Sequence, residues 1–119
     1  MKALVYVGPE KLNYMDHEDP SVPDDHVLVK VMASGICGSD MHGFLGHDER
    51  RPAPLILGHE AAGTIVGGEH DGKRITLNPL VECGKCSSCK RDQIHLCVNR
   101  QLLSMKPVSY THIRAHETG

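Results

Sequence analysis

The chain has 119 residues, 39% of them hydrophobic, with 13 Lys+Arg against 15 Asp+Glu and a formal net charge of −2. That length allows one domain or a piece of one, built on a single modest core. The interspersed signs exclude the basic footprint of a nucleic-acid binder and the cationic face of a membrane-surface helix.

The first predicted strand, KALVYV (2–7), ends at Gly8-Pro9. Its five apolar residues are too few for a secretory h-region, and no apolar run approaches the ~18 residues of a membrane span. A soluble, cytoplasmic protein with no membrane or nucleic-acid partner is expected. A second strand, KLNYMD (11–16), leads into the acidic, proline-punctuated HEDPSVPDD. HVLVKVMAS (26–34) alternates, which puts Val27, Val29 and Val31 on one face. SDMHGFL (39–45) predicts one helical turn capped by Ser39 or Asp40. AAGTIV (61–66) and KRITLN (73–78) flank a glycine-rich turn, GGEHDG. The reading is mainly β, a small barrel or partly open sandwich.

Four of the five cysteines crowd into CGKCSSCKRDQIHLC (83–97), spaced C-x2-C-x2-C-x7-C. In a reducing compartment such clustering favours metal over disulfides. Two-residue gaps turn successive thiolates back onto one ion, and the longer loop delivers the fourth. Four sulfurs form a closed structural zinc site, with Lys85, Lys90 and Arg91 placed to offset its negative charge. The rivals are an iron–sulfur cluster, whose usual last gap is three residues followed by Pro, and a set of unmetallated thiols. The fifth cysteine stands in GICGSDMHG. A lone Cys is often a small buried hydrophobe, yet Ser39, Asp40 and His42 follow Cys37 closely, and LGHEAAG brings His59 and Glu60. A catalytic zinc keeps three protein ligands and one open position, and Cys plus His supplies two of them.

The motifs GICGSDMH and GHEAAG, followed by the four-cysteine lobe, resemble the N-terminal half of the zinc-dependent medium-chain alcohol dehydrogenases. The polyol, sugar-alcohol and threonine dehydrogenase branch is the most similar, and the match covers about residues 1–107. The resemblance implies a GroES-like, β-rich, partly open barrel with a structural-zinc lobe, interrupted in the parent protein by a Rossmann domain for NAD or NADP. It implies that Cys37 and His59 bind the catalytic zinc and that Glu60 can enter the coordination sphere. Asp40 would hold the ligand His, Ser39 and His42 would relay the alcohol proton to solvent, and Cys83, Cys86, Cys89 and Cys97 would bind the structural zinc. The implied enzyme carries two zinc ions per subunit, works as a homodimer or homotetramer, and oxidises a secondary alcohol or polyol by hydride transfer to the nicotinamide.

Nothing in the chain reads G-x-G-x-x-G between a strand and a helix, and the family's last catalytic zinc ligand has no counterpart. The expectation is therefore an incomplete catalytic domain, inactive alone. Two rivals are a free-standing zinc module without enzymatic activity and an iron–sulfur electron carrier. The run VSYTHIRAHET (108–118) resembles the in-frame translation of a transposase-type sequencing adapter, V-S-Y-T-H-L-R-A-H-E-T, with ten of eleven positions agreeing. Residues 108–119 are accordingly expected to be a non-native tail, and the His112/His116 spacing within them to be accidental. Elsewhere, His17, His26, His70 and His95 read as surface histidines, and Arg50 and Arg51 as part of a solvated loop. Phe44 reads as a core or cleft residue, and Gly35, Gly38, Gly58 and Gly63 as turn residues near the metal.

Overall fold

A computed structural model describes residues 1–103. The run at 108–118, with His112 and His116, lies outside the described residues. Alternation makes the first strand, β1 (Lys2–Gly8), which buries Ala3 and Val5 on one side. Tyr6 is also buried, at a bulge between Tyr6 and Gly8. The Gly8–Glu10 turn reverses the chain into β2 (Lys11–Asp16), antiparallel to β1 with Val5 opposite Asn13. On the other side of β1 lies the two-residue strand β4 (Leu55–Ile56), giving the order β2-β1-β4.

A second sheet has the order β3-β5-β6, from β3 (Leu28–Gly35), β5 (Glu60–Val66) and β6 (Arg74–Thr76). The turn between β5 and β6 is the glycine-rich stretch read from the sequence, with Gly67, Gly68 and Gly72 at positive φ. Strand β3 departs from expectation. Val29 is half-buried, but Val31 is 41% exposed and Met32 70% exposed. A bulge between Val31 and Ala33 breaks the alternation, and among the described residues β3 is an edge strand with one unpaired side.

The two strands of a third sheet, β7 (Leu80–Val81) and β8 (Gln101–Leu102), close the cysteine lobe at its base. Two residues are too few to show any period, which is why neither was visible in the sequence. Between them run α2 (Ser87–Lys90) and a single 3-10 turn, Ile94–Leu96. The fold is mainly β, as expected. Its strands stay in three separate sheets, with no closed barrel among the described residues. Ala3, Val5, Tyr6, Leu55, Ala61 and Ile65 form the core, while Cys97 and Leu103 are buried in the lobe. No helix among the described residues is long and apolar enough to cross a membrane.

The β3–β5 pairing positions the site. Its register sets Gly35, the last residue of β3, opposite Glu60, the first of β5. Cys37 follows two residues after the one, and His59 directly precedes the other. Antiparallel pairing thus brings GICGSDMH and GHEAAG together although about twenty residues separate them.

Candidate metal centres

The chain leaves β3 and enters α1 (Gly38–Phe44). Ser39 or Asp40 was expected to cap this helix, but the cap position is held by Cys37. Asp40, three residues into the turn, reaches back so that Oδ2 accepts the Cys37 N–H at 3.0 Å. A carboxylate at this place satisfies one of the orphan donors that open any helix. The other oxygen, Oδ1, lies 3.4 Å from Nδ1 of His59. Asp40 is 7% exposed, and both Oδ1 and His59 Nδ1 are buried with no hydrogen bond. One carboxylate therefore holds the backbone of Cys37 and lies beside the ring of His59.

The ligand atoms of Cys37, His59 and Glu60 lie within 4.8 Å of one another. Gly35 makes room for the third. A Cβ on Gly35 would sit 2.6 Å from Glu60 Oε2, so any larger residue at 35 displaces the carboxylate. Gly35 thus serves a close approach rather than the turn expected of it. Beside this set opens a cleft of about 680 Å³, with Ser34, Gly35, His59, Glu60, Ala62 and Thr76 in its wall. That volume suits a small molecule. The donor set fits a metal with an open position: a thiol, an imidazole and a carboxylate, with His59 Nδ1 turned to Asp40 and Nε2 left for an ion.

The relay candidates are three residues apart on α1, hence on one face of it. Ser39 is half-buried and His42 exposed, and among the described residues no hydrogen bond joins them. Arg50 behaves as expected, exposed and clamped to Asp48 through Nε and Nη2 at 3.0 and 3.2 Å. Arg51 does not. Far from solvated, it is 3% exposed and paired to the same Asp48, because its side chain lies across Gly43 of α1. Phe44 is half-buried and ends α1, its carbonyl accepting the Glu10 N–H at 2.7 Å.

The second set is sulfur only. Cys83, Cys86, Cys89 and Cys97 bring their Sγ atoms within 4.8 Å of one another, and none is in a disulfide. The C-x2-C-x2-C run coils onto itself through α2, where Cys86 takes the cap position. The 3-10 turn then delivers Cys97, which is fully buried. Backbone N–H groups of Lys85 and Cys86, at 3.4 and 3.3 Å, hold the Cys83 thiol down at about 6. Burial, and then the neighbouring sulfurs, push Cys89 up to about 12. Concentrating N–H donors around sulfur in this way stabilises thiolate, the form that binds metal.

A pH dependence follows for the metal-free chain. The Cys83 value lies below the ordinary 9.0, so its contribution to lobe stability is present above that value and is lost as pH falls through about 6. At pH 7 iodoacetamide should label Cys83 well before Cys89, as read by peptide mapping. Equal labelling, or the reverse order, would contradict this environment.

A set of four sulfurs and a mixed set of thiol, imidazole and carboxylate thus stand on one small β-fold, each a candidate metal site among the described residues. The chain belongs to the alcohol dehydrogenase GroES-like domain family, whose model matches residues 23–117. It is 41% identical over 118 residues to sorbitol dehydrogenase of Bacillus subtilis strain 168, an alignment covering 91% of this chain and 33% of that protein. Among solved structures it resembles a short chain alcohol dehydrogenase from Escherichia coli CFT073 in complex with NADH. The TM-score is 0.77 at 33% identity, over 88% of this chain and 32% of the other. An alcohol dehydrogenase from Thermotoga maritima gives a TM-score of 0.76 at 33% identity, over 96% and 35% of the two chains. The chain thus spans about a third of the length of the relatives it matches.

Proposed function

We propose that this chain is the N-terminal, zinc-binding catalytic part of an oxidoreductase that moves hydride between a secondary alcohol or polyol and NAD(P). The observation that carries the reading is the Cys37, His59 and Glu60 set, with Asp40 against the first two and a cleft beside it. Zinc at that set would supply Lewis acidity toward a substrate hydroxyl, and a bound nicotinamide the hydride acceptor.

The chain's own residues do the remaining work. Asp40 fixes the His59 tautomer and the turn bearing Cys37. Ser39 takes the hydroxyl proton inside the site and passes it to His42, whose exposed ring releases it to solvent. With no direct hydrogen bond between them, that transfer runs through a water or a rotation of one side chain. In this reading Cys83, Cys86, Cys89 and Cys97 hold the second zinc of each subunit and do no chemistry. The full enzyme is a cytoplasmic homodimer or homotetramer, using NAD or NADP and no nucleic-acid or membrane partner. Residues 108–119 are adapter-derived in the same reading.

Resequencing the source DNA across the codons for Met105 to Val108 tests the tail, and the gene product it defines tests the activity. That protein should reduce NAD(P) with sorbitol or a related polyol, whereas its C37S variant and the 119-residue chain should not. A zinc-loaded gene product inert toward a panel of secondary alcohols and polyols would overturn the reading.

A further inference from the structure

Arg51 is a buried cation that the proposed mechanism leaves without a task. Its side chain is only 2% exposed, pairs with Asp48, and sends Nη1 to the Ser39 carbonyl at 3.3 Å. Nε is buried with no hydrogen bond. The side chain crosses α1 at Gly43, where a Cβ would lie 2.7 Å from Arg51 Cδ. Asp48 meanwhile holds Arg50 as well.

This arrangement is costly unless it does something. Burying an ion pair costs several kcal/mol in desolvation, and apolar residues of the same volume are often as stable or more so. What a guanidinium adds is direction, since the N–H bonds of its planar nitrogens leave at fixed angles. Here Nη1 donates both bonds, one to the Asp48 carboxylate and one to the Ser39 carbonyl. Helix α1 needs such a tie, because seven residues with glycine at 38 and 43 form no stable helix alone. A lone cation near the first turn would oppose the helix dipole, and pairing with Asp48 removes that objection.

We propose that Arg51 is a positioning residue for the Cys37, His59 and Glu60 set. It ties the first turn of α1, and with it Cys37 and Ser39, to the 46–51 loop. The loop 46–51 is then a brace for the metal site. The inference rests on the reading of Cys37, His59 and Glu60 as a metal centre.

The test is a cobalt titration of the full chain, comparing wild type, R51M and R51K. The tetrathiolate set serves as internal control through its sulfur-to-cobalt charge-transfer band. Met matches the buried volume, and Asp48 stays paired to Arg50, so no orphaned charge arises. R51M should keep the first cobalt equivalent and its thermal midpoint. It should bind the second about tenfold more weakly, with altered visible ligand-field bands. R51K should recover part of that loss. If R51M fails to fold, R51K carries the test, because it keeps a positive charge beside Asp48 but lacks the planar, fixed N–H geometry, and it should show the same selective loss in milder form. R51M with a wild-type second equivalent and spectrum overturns the proposal, as does equal loss at both sites. A wild-type chain that takes up only one cobalt overturns the metal-centre reading itself, and the brace falls with it.

Discussion

Replacing Cys97 by serine should cost the chain its cysteine lobe. Cys97 is the one fully buried member of the sulfur set, and the Cys83 N–H points at its Sγ from 3.4 Å. Little else holds this segment. Its helix has four residues, its 3-10 turn three, and its base is the two-residue β7–β8 pair with Leu103 N–H on the Pro79 carbonyl at 3.0 Å. Burying Leu103 and its neighbours contributes about 1.5–3 kcal/mol per side chain, too little to order such a loop. A structural zinc in small folded peptides contributes on the order of 10 kcal/mol, comparable to the whole stability of a domain. Serine removes a soft thiolate and puts a harder oxygen in a buried place. The expected result is loss of one zinc equivalent and rapid proteolysis between about 83 and 100, with the β1–β2 hairpin still protected. A chelator should give the same cleavage pattern in wild type. If C97S keeps two zinc equivalents and resists protease as wild type does, the lobe is held by packing and the tetrathiolate reading fails.

The contrast between lobe and brace shows which parts of this molecule were legible in its residues. Spacing alone picked out the sulfur set, because a C-x2-C-x2-C run folds back on itself with no help from distant chain. Alternation picked out β1, β2 and β5 for the same local reason. The open set was legible as ligand types through resemblance to a family, but its assembly depends on the Gly35–Glu60 register, which no local pattern encodes. The helix cap was misread because Cys is a poor capping residue, and the sign lay instead in Asp40 at the third helical position. Arg51 was misread because GHDERRPAP is polar throughout and reads as solvated. Its burial comes from α1 and Asp48. The only local hint was the spacing of Asp48 and Arg51 together with a glycine at 43, small enough to be crossed.

The second large effect is expected at Asp40, where substitution should uncouple the Cys37, His59 and Glu60 set from the rest of the fold. Asn is nearly isosteric, and its carbonyl oxygen can still accept the Cys37 N–H. The amide nitrogen then faces His59 Nδ1, where the carboxylate oxygen lies now. A donor there makes Nδ1 the acceptor and moves the ring proton to Nε2, the nitrogen left for metal. D40N should therefore weaken metal at Cys37, His59 and Glu60 by about 10–100-fold while leaving the four-cysteine site and the melting temperature near wild type. Alanine goes further. It leaves the half-buried Cys37 N–H without its carboxylate partner, at about 1 kcal/mol or more, so D40A should lose both the metal and several degrees of thermal stability. Measuring both variants by metal titration and thermal melting separates the two roles of one carboxylate. If D40N binds the second metal as wild type does, His59 needs no partner to choose its tautomer, and Asp40 serves only the helix cap. If D40N and D40A fail alike in folding, Asp40 is a core residue, and the 3.4 Å approach to His59 is incidental to metal binding.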